Sequence, residues 1–136
     1  MEWSSLTPEL LVTDYQKSFS FYVETLGFTA EFTRDDPLFA YLSLEGAQLM
    51  IEERTGSEWW VTSEINHPYG SGINFQITVD PIDPYASRLK NDECQLFEGI
   101  HEEWYQVDEG ERGNRQFLIQ DPDGYLLRFM EHIGTR

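Results

Sequence analysis

The feature that most constrains the fold of this chain is an order of secondary-structure signals that occurs twice. In the first half, a short apolar stretch around Leu10 and Val12 precedes Asp14, which stands at a helix N-cap position before an amphipathic run. Gly27 stands where a left-handed C-cap would end that helix. The apolar residues at helical spacing are Tyr15, Phe19, Tyr22 and Leu26. Strand-like segments then complete a predicted βαβββ module: residues 28–34, 38–44 and 47–53.

The same order returns in the second half. Apolar and polar side chains alternate from Ile73 to Val79, which is the pattern of a strand with one buried face. A second amphipathic helix follows, with apolar residues Ile82, Tyr85, Ala86 and Leu89. Residues 95–105 are predicted to be an irregular, partly extended segment. Two strands, residues 116–120 and 125–130, are joined by the turn Asp121-Pro122-Asp123-Gly124.

The predicted fold class is therefore α+β, built from two tandem βαβββ modules. Module one spans about residues 4–54, the connection residues 55–71, and module two about residues 72–132. A chain of 136 residues is long enough to bury one sizeable core, so a single domain is expected. The connection is long for a compact domain and carries Trp59-Trp60, which favours a lid or binding loop.

Charge and cysteine content exclude several kinds of partner and an intrachain disulfide. The chain has 25 acidic residues against 9 basic ones, a formal charge of -16, which opposes binding to nucleic acid or anionic membranes and favours a cationic ligand. Cys94 is the only cysteine, so no intrachain disulfide forms. The amino terminus lacks the pattern of a signal peptide, and no apolar run approaches the ~20 residues that span a bilayer. A cytoplasmic protein is expected.

Several short motifs occur in an order that resembles a known superfamily. In the first half they are Val12-Thr13-Asp14, Ser18, Phe21-Tyr22 and Leu26-Gly27-Phe28. In the second half they are Gly72-Ile73-Asn74-Phe75, Val79-Asp80, Arg115-Gln116-Phe117 and the run from Asp121 to Phe129. In this order the chain resembles the vicinal-oxygen-chelate proteins, which include glyoxalases, dioxygenases and bleomycin-resistance proteins. It is most similar to the bleomycin-resistance branch around residues 60–75 and 104–129.

The resemblance implies that the strands curl into a cup, with the helices outside and the ligand site inside. Strand alternation then predicts which side chains face the cup, because successive side chains point to opposite faces. On the strand from Ile73 to Val79, the apolar positions would pack on the helix. The residues predicted to line the cup include Glu9, Gln48, Met50, Glu52, Asn74, Gln76, Thr78, Leu126, Arg128 and Met130.

Metal-dependent members of the superfamily hold a divalent ion at positions that fall here on Thr7, Asn74 and Arg128. None of these is a good ligand, and Arg128 brings positive charge to the place of a cation. Arg128 is instead expected to face the cup with Glu9, Glu52 or a carbonyl group within reach. The three histidines lie outside the predicted strands and do not supply a site: His67, His101 and His132. No metal and no cofactor are predicted.

Catalytic motifs are also missing. No serine-nucleophile, phosphate-loop or dinucleotide signature occurs, and the neighbours of Cys94 have the wrong charge for an activated thiolate. Aromatic residues make up 15% of the chain, and rings beside carboxylates suit a planar cation. No catalytic residue is predicted. The predicted ligand-binding residues are Phe39, Tyr41, Glu52, Trp59, Trp60, Asn74, Gln76, Trp104 and Arg128.

The sequence therefore predicts a metal-free small-molecule binding protein of the bleomycin-resistance type, whose ligand is cationic and aromatic. The alternative is a metal-dependent lyase, isomerase or dioxygenase with displaced ligands such as Glu9, Glu52 and His132. A symmetric homodimer is also predicted, because four-stranded sheets have open edges and because relatives complete their cups with a partner chain. Its interface is expected to include Trp59-Trp60 or Trp104-Tyr105.

Overall fold

The computed structural model describes all 136 residues, which form two compact units. The first unit comprises Met1–Tyr69 together with Pro122–Gly124, and the second comprises Gly70–Asp121 together with Tyr125–Arg136. Each unit holds one four-stranded mixed sheet and one helical segment, so the protein is α+β as predicted. No helix is long and apolar enough to cross a bilayer.

The first unit has the predicted βαβββ order. Its elements are β1 (Glu9–Val12), α1 (Tyr15–Phe19), β2 (Thr29–Asp35), β3 (Leu38–Leu44) and β4 (Ala47–Glu53). The strand order in the sheet is β1-β4-β3-β2, with β1 parallel to β4 and the other pairs antiparallel. The bounds of β3 and β4 match the prediction, because the two-residue turn Glu45-Gly46 has the positive φ values of 47° and 91° that a tight hairpin requires.

The helix of the first unit differs from the prediction in its second half. Asp14 caps α1 by accepting a hydrogen bond from the Lys17 backbone N–H, but residues Ser20–Thr25 continue as a π-helix. A π-turn inserts one extra residue, so Phe21 and Tyr22 are both buried, whereas strict α-helical spacing predicted only Tyr22. Phe19 is only half-buried.

The second unit repeats the order with longer strands. Its elements are β5 (Asn74–Thr78), α2 (Asp83–Asn91), β6 (Glu98–Val107), β7 (Gly110–Gln120) and β8 (Leu126–Thr135), and the strand order is β5-β8-β7-β6. The segment at residues 95–105 is more regular than the irregular, partly extended structure that was predicted, because residues 98–105 belong to the edge strand β6, paired with β7. His101 therefore lies within β6 and His132 within β8, rather than in loops.

One face of each sheet packs against the helix of its unit, and we call the opposite side the helix-free face. In the first unit α1 contacts β3 and β4. In the second unit the Tyr85 ring of α2 stacks on Phe129 of β8, with the ring centroids 5.3 Å apart. Ile77 and Val79 are buried as the alternation predicts, but Ile73, which precedes β5, is 52% exposed.

A buried carboxylate joins two loops of the first unit. Asp123, from the turn Pro122–Gly124, accepts hydrogen bonds from the backbone N–H of Thr13 at 3.0 Å and from the Thr13 hydroxyl. The same carboxylate lies 3.0 Å from His67 Nε2, and the His67 ring stacks on Tyr69. Asp123 thus ties the end of β1 to the connection, whose residues 55–71 form no strand, as predicted.

Candidate functional site

The first unit contains an open cavity of about 600 Å³ beside the ends of β1, β2 and β4. We call it the acidic cavity. Its lining consists of Glu9, Arg34, Asp36, Pro37, Glu52, Thr55, Ser57, Glu58, Trp59 and Trp60. Pockets of about 300–1,000 Å³ are typical of small-molecule sites. The cavity is therefore large enough for an organic ligand of moderate size.

Strand pairing places the charged side chains of the cavity on one face. Glu52 of β4 lies opposite Phe39 of β3, and Phe39 lies opposite Arg34 of β2. Glu9 of β1 is paired with Met50, two residues before Glu52 on the same side of β4. Paired residues share a face of the sheet, so Glu9, Glu52 and Arg34 all project from the helix-free face.

The electrostatics of the cavity are strongly negative. Four carboxylates line it, against a single guanidinium, that of Arg34. Burial raises the pKa of Glu9, the neighbouring carboxylate of Glu52 raises it further, and Arg34 partly offsets both. Hydrogen bonds from backbone N–H groups, chiefly that of Thr55, lower the pKa of Glu58. Adding a cation would relieve the repulsion between these carboxylates.

A group of aromatic rings lies beside the cavity. The Arg34 guanidinium carbon lies 4.4 Å from the centre of the Phe39 ring, which is only 1% exposed. Tyr41 stacks on Phe32 and makes an edge contact with Trp3. The predicted strand parity of Phe39 and Tyr41 is thus confirmed. Both rings are buried, because Arg34 and the neighbouring rings cover them, so neither is an open wall; that they contact a ligand stays a prediction.

The two tryptophans of the connection differ in exposure. Trp59 is 92% exposed, whereas Trp60 is half-buried, and both line the acidic cavity together with Glu52. The structure therefore brings together three of the predicted ligand-binding residues. An exposed indole beside carboxylates offers a flat face to a planar cation.

The remaining predicted residues lie in the second unit. Asn74 and Gln76 of β5 are exposed, and Gln76 is paired with Arg128 of β8, so the predicted parity of these residues is confirmed. Trp104 does not form an open wall, because its ring covers Gly113 and lies 4.1 Å from the guanidinium carbon of Arg136. Whether Asn74, Gln76, Trp104 and Arg128 bind a ligand stays a prediction.

Arg128 makes two contacts on the helix-free face of its sheet. Its Nη2 donates a hydrogen bond to Gln76 Oε1 at 2.8 Å, and its Nη1 lies 3.4 Å from the Tyr105 hydroxyl. The expected oxygen partner is therefore the amide carbonyl of Gln76. Glu9 and Glu52, the carboxylates that were also expected, belong to the first unit.

The residues at the superfamily's metal positions do not fit a divalent ion. The Thr7 hydroxyl lies 3.2 Å from the Tyr41 hydroxyl, and Asn74 offers only an amide. Arg128 has hydrogen-bond donors alone and carries a positive charge. No group of three or more His, Cys, Asp or Glu side chains is arranged to hold a metal ion. Of the displaced ligands considered above, Glu9 and Glu52 line the acidic cavity, whereas His132 lies opposite Asn114 in the second unit.

Sequence reasoning missed three charged residues of the cavity: Arg34, Asp36 and Glu58. Arg34 has the same strand parity as Phe32, so alternation along β2 would have placed it on the helix-free face. Asp36 and Glu58 lie in loops, where no periodicity exists to predict which way a side chain points.

Comparisons with known proteins agree with this fold. No curated protein matches the sequence. Among solved structures, TioX from Micromonospora sp. ML1 is 21% identical with a TM-score of 0.74, over 96% of this chain and 100% of that one. The virulence protein STM3117 from Salmonella typhimurium is 20% identical with a TM-score of 0.71, over 98% and 100% of the two chains. Residues 6–129 match the sequence model of one superfamily. The chain belongs to the glyoxalase/bleomycin resistance protein/dioxygenase superfamily.

Proposed function

We propose that this protein binds a small, planar organic cation in the acidic cavity, without a metal ion, in the manner of a bleomycin-resistance protein. The observation that carries the proposal is the lining of the cavity, where four carboxylates and two tryptophans face a single arginine. Cationic antibiotics are the ligand class to test first. The protein acts by holding its ligand, and no residue of the cavity is assigned a catalytic role.

The chemistry of the cavity supports a cation over a neutral or anionic ligand. Glu9 and Glu52 repel each other, so a bound positive charge gains from both carboxylates at once. Trp59 supplies an exposed ring to which a delocalised cation is attracted. Arg34 already occupies the face of Phe39 as an internal cation, which illustrates the kind of group that this surface accepts.

Isothermal titration calorimetry with N-methylquinolinium tests the proposal. Neutral quinoline at pH 8 is the matched uncharged ring, and EDTA is present throughout. We expect saturable binding of the cation and at least about tenfold weaker binding of quinoline, which corresponds to about 1.4 kcal/mol. Glu52→Gln should weaken cation binding about tenfold. Glu109→Gln, which makes the same charge change in an exposed turn, should leave it within about twofold.

Metal analysis of the protein, and the titration repeated without EDTA, separate metal-free binding from the metal-dependent alternative. Metal analysis of the purified protein is expected to find no stoichiometric zinc, nickel, manganese or iron. Cation binding that appears only after one of these metals is added would overturn the proposal in favour of a lyase, isomerase or dioxygenase. Equal affinity for N-methylquinolinium and quinoline would overturn the choice of a cationic ligand.

A symmetric homodimer in the cytoplasm is the setting that we propose for this binding. Exposed apolar side chains support it: Trp59 in the connection, and Tyr105 and Val107 on the edge strand β6. An interface of about 1,200 Å² or more is typical of a stable pair. Light scattering at micromolar concentration should give twice the chain mass of 15.9 kDa. A mass equal to that of one chain would reject the dimer and leave the acidic cavity as a site within one chain.

A further inference from the structure

Arg128 is a cation on the helix-free face of the second sheet that has no carboxylate partner in its unit. Both groups that it contacts, the Gln76 amide oxygen and the Tyr105 hydroxyl, are neutral. No carboxylate of the second unit lies within ion-pair distance of it. By contrast, Arg115 in the same sheet is 3.1 Å from both Asp83 and Glu131.

The lack of a counter-charge is unexpected in this protein, in which 25 acidic residues outnumber 9 basic ones. The Arg128 Nε–H is also buried and has no hydrogen-bond partner. A guanidinium that is half-buried, unpaired and only partly hydrogen-bonded costs stability, and such exceptions require an explanation. A ligand that supplies the missing negative charge explains it.

Two neighbouring side chains fix the orientation of the guanidinium and leave part of it available to a ligand. Gln76 lies beside Arg128 on the neighbouring strand β5 and fixes Nη2, and Tyr105 of β6 fixes Nη1. Tyr105 in turn lies 3.3 Å from the Gln116 amide oxygen, with its hydroxyl as the donor. Each Nη of an arginine carries two hydrogens, so one hydrogen on each remains for a ligand. Two parallel N–H groups in one plane match the two oxygens of a carboxylate.

The surroundings favour an organic carboxylate over a phosphate. Leu118 is paired with Arg128 across the sheet, and Leu126 lies two residues before it on β8, so half-buried apolar side chains flank the guanidinium. The nearby His101 is within 3.7 Å of Glu103 and thus has its own carboxylate. A single guanidinium balances one negative charge, whereas a phosphate dianion would call for a second cation.

We propose that Arg128, positioned by Gln76 and Tyr105, binds the carboxylate of a small organic acid on the helix-free face of the second sheet. The site is built from second-unit residues alone, whereas the acidic cavity is built from first-unit residues. Failure of one proposal therefore leaves the other standing.

Nuclear magnetic resonance with benzoate tests the site, with benzamide as the neutral isostere and inorganic phosphate as the competing anion. We expect benzoate to shift the Arg128 Nε–Hε and Gln76 side-chain signals saturably, and benzamide to leave them unchanged. Phosphate should bind at least tenfold more weakly than benzoate. Tighter binding of phosphate than of benzoate would overturn the choice of a carboxylate.

Two variants of the site and one control variant measure the contribution of Arg128 to benzoate binding. Arg128→Gln should weaken benzoate binding at least tenfold, whereas Arg112→Gln, the same change at an exposed position of β7, should leave it within twofold. Gln76→Glu places a carboxylate beside Arg128 within the chain, so it should also weaken benzoate binding at least tenfold while the thermal midpoint holds or rises. Unchanged benzoate affinity in either Arg128→Gln or Gln76→Glu would reject the proposal.

Discussion

The guanidinium of Arg34 lies over the ring of Phe39, 4.4 Å from its centre. Arg34 lines the acidic cavity, and Phe39 is paired with Glu52, which also lines it. Arg34 therefore occupies an aromatic face that a ligand cation would otherwise use. Removing its charge should strengthen cation binding. We expect Arg34→Met to raise the affinity for N-methylquinolinium about two- to fivefold, from a cation–π contact of about 0.5–1 kcal/mol. Calorimetry measures the change, and weaker binding in this variant would contradict the account.

Glu9 gives the cavity a defined pH dependence. Its pKa is raised above the ordinary value of 4.5, first by burial and then by Glu52. The folded protein therefore binds this proton more tightly than the unfolded chain, and stability from this group falls as the pH rises from 4.5 through the raised pKa. Glu9→Gln should stabilise the protein at pH 7 and have little effect below pH 4.5, as measured by urea unfolding at both pH values.

The affinity for a cation should also depend on the protonation of Glu9, but in the opposite direction to stability, so that it rises with pH. Protonation removes the charge of Glu9, so the affinity for N-methylquinolinium should fall as the pH is lowered through the raised pKa. In Glu9→Gln this part of the pH dependence should disappear. An affinity that is flat with pH in the wild-type protein would show that Glu9 does not contact the ligand.

Asp123 is predicted to be the costliest polar residue of the first unit to replace. Its side chain is 2% exposed. The carboxylate accepts hydrogen bonds from the backbone N–H and the hydroxyl of Thr13 and also contacts His67 Nε2. Asp123→Ala removes a buried carboxylate together with all of these contacts at once, and should lower the free energy of unfolding by about 3 kcal/mol. His67→Ala removes a partner that is 57% exposed and should cost about 1 kcal/mol or less. Equal losses in the two variants would contradict this assignment.

Gly113 and Trp104 form a pair across the two strands β6 and β7. A Cβ atom at Gly113 would lie 2.6 Å from the Trp104 ring, which is too close for the ring to stay in place. Gly113→Ala should therefore cost about 1–3 kcal/mol of unfolding free energy. In the Trp104→Ala background the same substitution should cost much less, and a double-mutant cycle measures the difference. Additive losses would show that the cost of Gly113→Ala does not arise from the Trp104 ring.

The fold was predictable from the sequence where local signals and periodicity agree. The hairpin of β3 and β4 was predicted to the residue because Glu45-Gly46 marks the turn and strand-forming apolar residues are frequent on both sides. The π-turn at Ser20–Thr25 left no such signal, since an inserted residue breaks the helical period. The edge strand β6 was missed because its exposed, acid-rich sequence lacks the alternation of a half-buried strand.

The candidate site was predictable only in part, for a related reason. Alternation placed Glu52 and Phe39 on the correct face of the sheet, and the long connection pointed to Trp59. Burial on that face depends on contacts between residues distant in sequence. Arg34 covers Phe39, and Trp3 packs against Tyr41. No local sequence pattern encodes contacts of this kind. Phe39 and Tyr41 were therefore predicted as open ligand-binding surfaces, although both rings are buried.

The indole N–H signals of Trp59 and Trp60, followed by NMR during titration with N-methylquinolinium in EDTA, test the central claim most directly. Both residues line the acidic cavity, and Trp59 is exposed to whatever enters it. We predict that both signals shift along one saturable curve with the cation, and that Glu52→Gln moves the midpoint about tenfold higher while neutral quinoline produces no comparable shift. Signals that stay in place with the cation, or that move only after a divalent metal is added, would contradict metal-free binding of an organic cation in this cavity.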